Sequence, residues 1–122
     1  MSKDLAMIIE DNQDLAVIFT HALQAAGFET RVVDDGAKAL AQLERWAPRV
    51  VILDLHLANR SGEVILEEIS AQERLGETRV IIATADPDLA DRLKHHADGV
   101  LMKPITFREL RTLVARLALQ RA

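Results

Sequence analysis

Four short apolar runs, each closed by a residue able to do chemistry, constrain this chain more than any other feature. Leu5-Ala6-Met7-Ile8-Ile9 runs into Glu10-Asp11, and Val50-Val51-Ile52-Leu53 runs into Asp54. Val80-Ile81-Ile82-Ala83 runs into Thr84, and Gly99-Val100-Leu101-Met102 into Lys103-Pro104. Short continuous runs of this kind read as strands buried on both faces, as in parallel sheets. A charged residue ending such a strand belongs at the carboxyl edge of the sheet, where open α/β folds place their ligands.

Between the runs lie helical patterns. Residues 13–26 carry Leu15, Ile18, Phe19, Ala22, Leu23 and Ala26 on one face, and Gly27 ends them. A second strand at 28–33 alternates more and belongs nearer an edge. The spacing predicts a helix over 36–47, with Ala37, Leu40, Ala41, Leu43 and Trp46 inward and a stop near Pro48. After a strand at 49–54 and a loop at 55–61 comes a helix over 62–75, with Val64, Ile65, Leu66 and Ile69 apolar. A strand at 79–84 precedes a short helix at 87–96, with Pro87 in its first turn. Beyond a strand at 99–102, Thr106-Phe107-Arg108-Glu109 forms a capping-box pattern. The last helix then runs through Leu110, Leu113, Val114 and Leu117 towards Ala122. Strand and helix alternate five times, which implies an α/β fold: a doubly wound, five-stranded parallel sheet with right-handed crossovers. All strands then point their carboxyl ends the same way, so the acids, the threonine and the lysine share one edge.

Composition narrows the class. A chain of 122 residues suits one domain, expected to span 1–122 without an output domain. The absence of cysteine removes disulfides and thiolate chemistry, and the net charge of −4 argues against direct nucleic-acid binding through a broad basic face. The N-terminus has no apolar signal-peptide core, and no run approaches the ~20 residues that span a bilayer. A soluble, cytoplasmic protein is expected, with no membrane role.

Three carboxylates brought to one edge repel, and one or more pKa values rise unless a cation sits among them. Oxygen-only ligands favour Mg²⁺, which keeps several waters and bridges to phosphate. Asp54 could then act as a carboxylate nucleophile towards phosphorus. Lys103 would offset charge on the phosphoryl oxygens, and Thr84 could donate a hydrogen bond to one of them. Acyl phosphates hydrolyse readily, so the modification would be a temporary charge, which is a switch.

The chain resembles, end to end, a receiver domain of the two-component response-regulator family. The resemblance rests on Glu10-Asp11, Asp54 with Gly62 eight residues on, Thr84-Ala85 thirty residues after Asp54, and Lys103-Pro104. Each motif alone is weak, but all four in order at successive strand ends are specific. The resemblance implies the flavodoxin-like strand order 2-1-3-4-5. It implies Asp54 as phosphoacceptor, with Thr84 and Lys103 engaging the phosphoryl group. Mg²⁺ would be held by Asp11, Asp54 and the His56 backbone carbonyl, with Glu10 acting through water. The Lys103-Pro104 bond would be cis. The donor would be a phosphohistidine on a sensor histidine kinase or a histidine phosphotransfer domain. The face formed by the fourth helix, fifth strand and fifth helix would signal to a downstream protein or output domain. The chain would be a monomer or weak homodimer, and not an enzyme beyond assisting its own phosphorylation and dephosphorylation.

Some positions depart from the family. Ala58 stands where proline is usual, which predicts a more mobile loop from Leu57 through Asn59 and Arg60 to Ser61. Val100 replaces the aromatic residue that rotates when the threonine moves, and Thr84 to Lys103 is about three residues short, so the switch is expected to be weaker or differently wired. His56 and Asp86, two after Asp54 and Thr84, could pair across the site mouth and alter water access. His95-His96 reads as a solvated helix end, because adjacent helical side chains point about 100° apart. His21 reads as a flank residue of the first helix, and Trp46 as helix–sheet packing. Arg108, Arg111, Arg116 and Arg121 give the last helix a basic, solvated face. Two alternatives remain. A degenerate receiver would act as a phosphorylation-independent binding module. A haloacid-dehalogenase-type phosphatase would need an Asp-x-Asp motif, and His56 stands at that second position.

Overall fold

The computed structural model describes residues 4–57, 59 and 61–119, so the expectations placed on Ala58, Arg60, Arg121 and Ala122 lie outside the described residues. Five strands form one parallel sheet: β1 (Leu5–Ile9), β2 (Glu29–Val33), β3 (Val50–Asp54), β4 (Arg79–Thr84) and β5 (Gly99–Met102). Their order is β2-β1-β3-β4-β5. Five helices connect and cover them: α1 (Gln13–Ala25), α2 (Gly36–Leu43), α3 (Gly62–Ala71), α4 (Pro87–Leu93) and α5 (Phe107–Leu119).

β1, β3 up to Asp54 and the middle of β4 are runs of apolar residues because alternate residues enter different cores. Ala6, Ile8, Val50, Ile52 and Ile81 pack with Phe19, Leu23, Leu110 and Leu113, beneath α1 and α5. Met7, Ile9, Val51, Leu53 and Ile82 pack with Leu43, Ile65, Ile69 and Leu93, beneath α2, α3 and α4. β2 has a partner on one side only, and its first four residues are half-buried or exposed, as alternation at an edge requires.

Every helix begins with a side-chain cap just past a strand end. Asn12, Asp35, Ser61, Asp86 and Thr106 each accept a backbone N–H from the first turn. Those turns start where they do because these short polar side chains satisfy amides that the helix itself leaves unpaired. Gly27 follows α1 at φ 96°, a left-handed backbone suited to glycine.

Several helix limits and faces differ from the sequence reading. α2 ends at Leu43, well short of 47. Ala47 precedes Pro48, and a residue before proline is disfavoured in the α region, which keeps the helix from running on to 47. Trp46 consequently lies outside α2, 40% exposed, with the Arg31 guanidinium 4.9 Å from its ring centroid. It is not an inward packing residue. α2 buries Gly36, Ala39 and Leu43, while Ala37 and Ala41 are exposed. An alanine buries little area, so which of Ala37, Ala39 and Ala41 faces inward is weakly set by sequence. Ile18 is 44% exposed on the flank of α1, not on its buried face. α3 stops at Ala71 and hands over to a 3-10 turn at Glu73–Leu75, and α4 to another at Lys94–His96. Asp98 then fastens β5 to β4: its carboxylate accepts the Val80 N–H at 2.8 Å, and its own N–H donates to the Val80 carbonyl at 2.7 Å.

Candidate functional site

Parallel register brings the strand ends together. Ile9 of β1 pairs with Leu53, Asp54 with Ala83, and Thr84 with Met102. Glu10, Asp54, Thr84 and Lys103 therefore emerge at one edge of the sheet, as expected. Glu10 is 1% exposed, Asp54 2% and Thr84 0%, so three polar side chains sit inside the apolar strand ends. Asp11 is exposed beside them. Glu10, Asp11 and Asp54 can each offer a carboxylate oxygen within 4.8 Å of the others.

Lys103 is the cation among these acids. Its Nζ lies 3.1 Å from Glu10 Oε1 and 3.4 Å from Asp54 Oδ1. Burial pulls the ammonium pKa down, but the hydrogen bonding and charge of Glu10 and Asp54 outweigh it, so its value is raised. The repulsion anticipated among the acids falls on Glu10. Burial first, and the charge of Asp54 as well, push its pKa up to about 7, against the Asn12 N–H and Lys103. The Asn12 N–H donates to Glu10 Oε2 at 3.2 Å. Glu10 Oε1 is buried and meets the Lys103 ammonium at 3.1 Å as an ion pair.

Three carboxylates with oxygen atoms within 4.8 Å of one another and one ammonium beside them form an oxygen-donor set with excess negative charge, which fits a hard divalent ion such as Mg²⁺. The ion's own charge would relieve the repulsion that raises Glu10. The His56 N–H donates to Asp54 Oδ1 at 3.1 Å, fixing that carboxylate at the start of the β3–α3 loop. Farther along this loop, Asn59 at φ 70° donates to Asp35, the cap of α2. Backbone hydrogen bonding from Lys38 first, then Asn59, holds the Asp35 carboxyl below its ordinary range. The Lys103–Pro104 peptide is cis.

Gly62 opens α3 immediately against the end of β3. A Cβ there would come within 2.5 Å of both the Asp54 carbonyl oxygen and Leu55 Cα, so only glycine allows this approach.

His56 and Asp86 do not form the pair considered from sequence. Asp86 Oδ1 accepts the N–H groups of Asp88 and Leu89 at the start of α4. His56 Nε2 instead lies 3.5 Å from Thr84 Oγ1, which also accepts the Asp86 N–H at 3.1 Å. Sequence reasoning missed this contact, because nothing in the spacing tells which way an exposed ring turns. Val100 packs half-buried with Leu89 and Ala97 against the α2–α4 core. His95 and His96 are exposed at the end of α4's 3-10 turn. His21 is exposed beside an open groove between α1 and α5, lined also by Phe107 and Arg111. Arg108, Arg111 and Arg116 are exposed on α5, with Arg111 5.9 Å from the Phe107 ring centroid. Among the described residues, no helix is long and apolar enough to cross a membrane.

Comparison with known proteins places this geometry. The response regulator receiver domain family matches residues 6–115. The "Probable methanogenesis regulatory protein FilR2" of Methanothrix harundinacea (strain 6Ac) is 32% identical over 121 residues, covering 90% of this chain and 78% of that protein. The "Sensory transduction protein RegX3" of Mycolicibacterium smegmatis is 35% identical over 104 residues, covering 85% of this chain. This chain spans 46% of that relative's length. Among solved structures, the receiver domain of sensor histidine kinase PA1611 from Pseudomonas aeruginosa PAO1 superposes with a TM-score of 0.82 at 26% identity, covering 96% of this chain and 98% of that one. That structure has a magnesium ion coordinated in its active-site cleft.

Proposed function

The chain belongs to the response regulator receiver domain family, and from that premise we propose that it accepts a phosphoryl group on Asp54 in a Mg²⁺-dependent reaction. The observation that carries this reading is the Lys103 ammonium 3.1 Å from Glu10 and 3.4 Å from Asp54, beside a third carboxylate on Asp11. Buried strand-end carboxylates with a single cation form a costly arrangement for stability alone. It makes sense where further negative charge is to be handled.

The donor is a phosphohistidine, on a sensor histidine kinase or a histidine phosphotransfer domain. Asp54 Oδ1 is engaged by the His56 N–H and Lys103, which leaves Oδ2 as the nucleophile. An Oδ2–P bond forms as the donor's N–P bond breaks, and the leaving imidazole takes up a proton. Lys103 pairs with one phosphoryl oxygen, and the Thr84 hydroxyl donates to another. Glu10, Asp11, Asp54 and the His56 carbonyl would hold the Mg²⁺. That ion supplies positive charge to offset the carboxylates and the incoming phosphoryl group. Water later cleaves the acyl phosphate and restores Asp54. Between these events the added charge alters the β4–α4 segment and, through it, the face formed by α4, β5 and α5, which addresses a downstream protein or output domain. Residues 1–122 would act as one phosphoacceptor unit in the cytoplasm, without direct contact to nucleic acid.

Incubation with Mg²⁺ and a small phosphodonor, followed by mass spectrometry, tests the reading. One added phosphate is expected, absent in Asp54→Ala and without Mg²⁺. Turnover of phosphate esters would instead favour a hydrolase, and neither result would leave a phosphorylation-independent binding module.

A further inference from the structure

The Thr84 hydroxyl has a neighbour that the phosphoryl chemistry does not use. Its oxygen accepts the Asp86 N–H at 3.1 Å, and His56 Nε2 lies 3.5 Å away from the same oxygen. A hydroxyl has a single proton to donate. The Asp86 N–H occupies the oxygen as a donor, and in the tautomer with the ring proton on Nδ1 the imidazole presents Nε2 as an acceptor for the Thr84 proton. A phosphoryl oxygen on Asp54 needs the same proton.

We propose that His56 is a positioning residue: its imidazole holds the Thr84 hydroxyl in the unphosphorylated protein, and a phosphoryl group on Asp54 must take Thr84 away from it. This rests on the reading of Asp54 as phosphoacceptor. The His56 backbone has a separate task, because its N–H donates to Asp54 Oδ1. A side-chain substitution leaves that bond in place, and the exposed ring is not part of the core. The Asp86 carboxylate is directed to α4, where its Oδ1 accepts two amides. The latch therefore opposes phosphorylation by the worth of one weak hydrogen bond and depends on both His56 and Thr84.

Beryllofluoride, which mimics a phosphoryl group on a carboxylate, gives an equilibrium measure. The full chain in Mg²⁺ at pH 8 is titrated with it by calorimetry. His56→Ala is expected to bind about two- to fivefold tighter, the range of a weak to ordinary net hydrogen bond. His56→Gln, which keeps an acceptor at similar reach, is expected to return to the unsubstituted affinity. In a Thr84→Ala background, His56→Ala is expected to change nothing. Unchanged or weaker binding in His56→Ala overturns the latch, and so does tightening that persists without the Thr84 hydroxyl, which would mean simple opening of the site mouth. Should the folded, unsubstituted protein bind no beryllofluoride, the Asp54 reading itself falls, and the latch with it.

Discussion

One ammonium group balances two buried carboxylates at the end of the sheet, and that asymmetry governs what single substitutions do. Lys103→Met leaves Glu10 and Asp54 facing each other with their shared cation gone. Breaking a fully buried pair costs about 3–5 kcal/mol. Lys103 keeps 24% of its side-chain exposure, and solvent screening brings the expected loss to roughly 1–3 kcal/mol. Urea unfolding should show this loss, and saturating Mg²⁺ should recover part of it by restoring positive charge. Phosphorylation of Lys103→Met should stay far below that of the unsubstituted protein even then, because an ion in the acid cluster does not replace the ammonium. Gly62 gives a second residue-scale prediction of a different physical kind. The atoms nearest its missing Cβ are backbone, which cannot swing aside, so Gly62→Ala must shift α3 against β3. Overpacking of this sort costs about 1–3 kcal/mol. A urea midpoint close to that of the unsubstituted protein would contradict the close approach.

At the scale of elements, α4 is the piece most dependent on its ends. It has seven residues, too few for helical propensity to sustain it alone. Asp86 holds its first turn through the amides of Asp88 and Leu89. Near its other end Arg92 makes a two-pronged pair with Glu63 of α3, at 3.0 and 3.3 Å. Asp86→Ala should cost about 1 kcal/mol, as the loss of a cap does, and should speed hydrogen exchange in α4 well before that in α1 or α5. Exchange rising equally in all helices would mean that Asp86 acts globally and not as a cap. The Asp86 N–H also rests on Thr84, so any movement of that hydroxyl is felt at the first residue before α4. This route needs no aromatic ring, which fits a chain with Val100 at the position in question. The sheet and its polar ends were legible in the sequence because each central strand is buried on both faces and a charge must leave it. The helix faces were less so. In α2, Leu43 is buried as the spacing predicts and Leu40 packs against the core, but Gly36 and Ala39 complete the buried face where Ala37 and Ala41 were expected. Trp46 read as core because of its size, whereas it lies past the end of α2 and is 40% exposed. The His56–Thr84 contact depends on a rotamer between two strand ends, about which one-dimensional spacing says nothing.

For the whole molecule, the site and the stability of the fold are linked through protons. Glu10 has an ordinary carboxyl value of 4.5 and is pushed up to about 7 in the fold. Between those values the folded protein binds more protons than the unfolded chain, so stability falls as pH rises. Below 4.5 Glu10 is protonated in both states and contributes no penalty; above about 7 it is ionised in both, and the penalty is complete. Its upper bound is roughly 3.5 kcal/mol, at about 1.4 kcal/mol per pKa unit. Lys103 keeps its charge throughout this range, since its value is raised above 10.5, and it limits the penalty without removing it. In EDTA the urea midpoint should therefore decline from pH 5 to pH 7.5, and Glu10→Gln should flatten the decline. Magnesium should reverse it, because an ion bound to the native acids stabilises by about 2.7 kcal/mol at a hundred times its Kd. The proton on Glu10 competes with the ion, so Mg²⁺ affinity should strengthen as pH rises and level off above about 7, where metal-free stability also stops falling. Two opposite slopes that level off at one pH, both lost in Glu10→Gln, would tie them to this carboxyl; slopes that level off at separate pH values would assign the pH dependence to other groups.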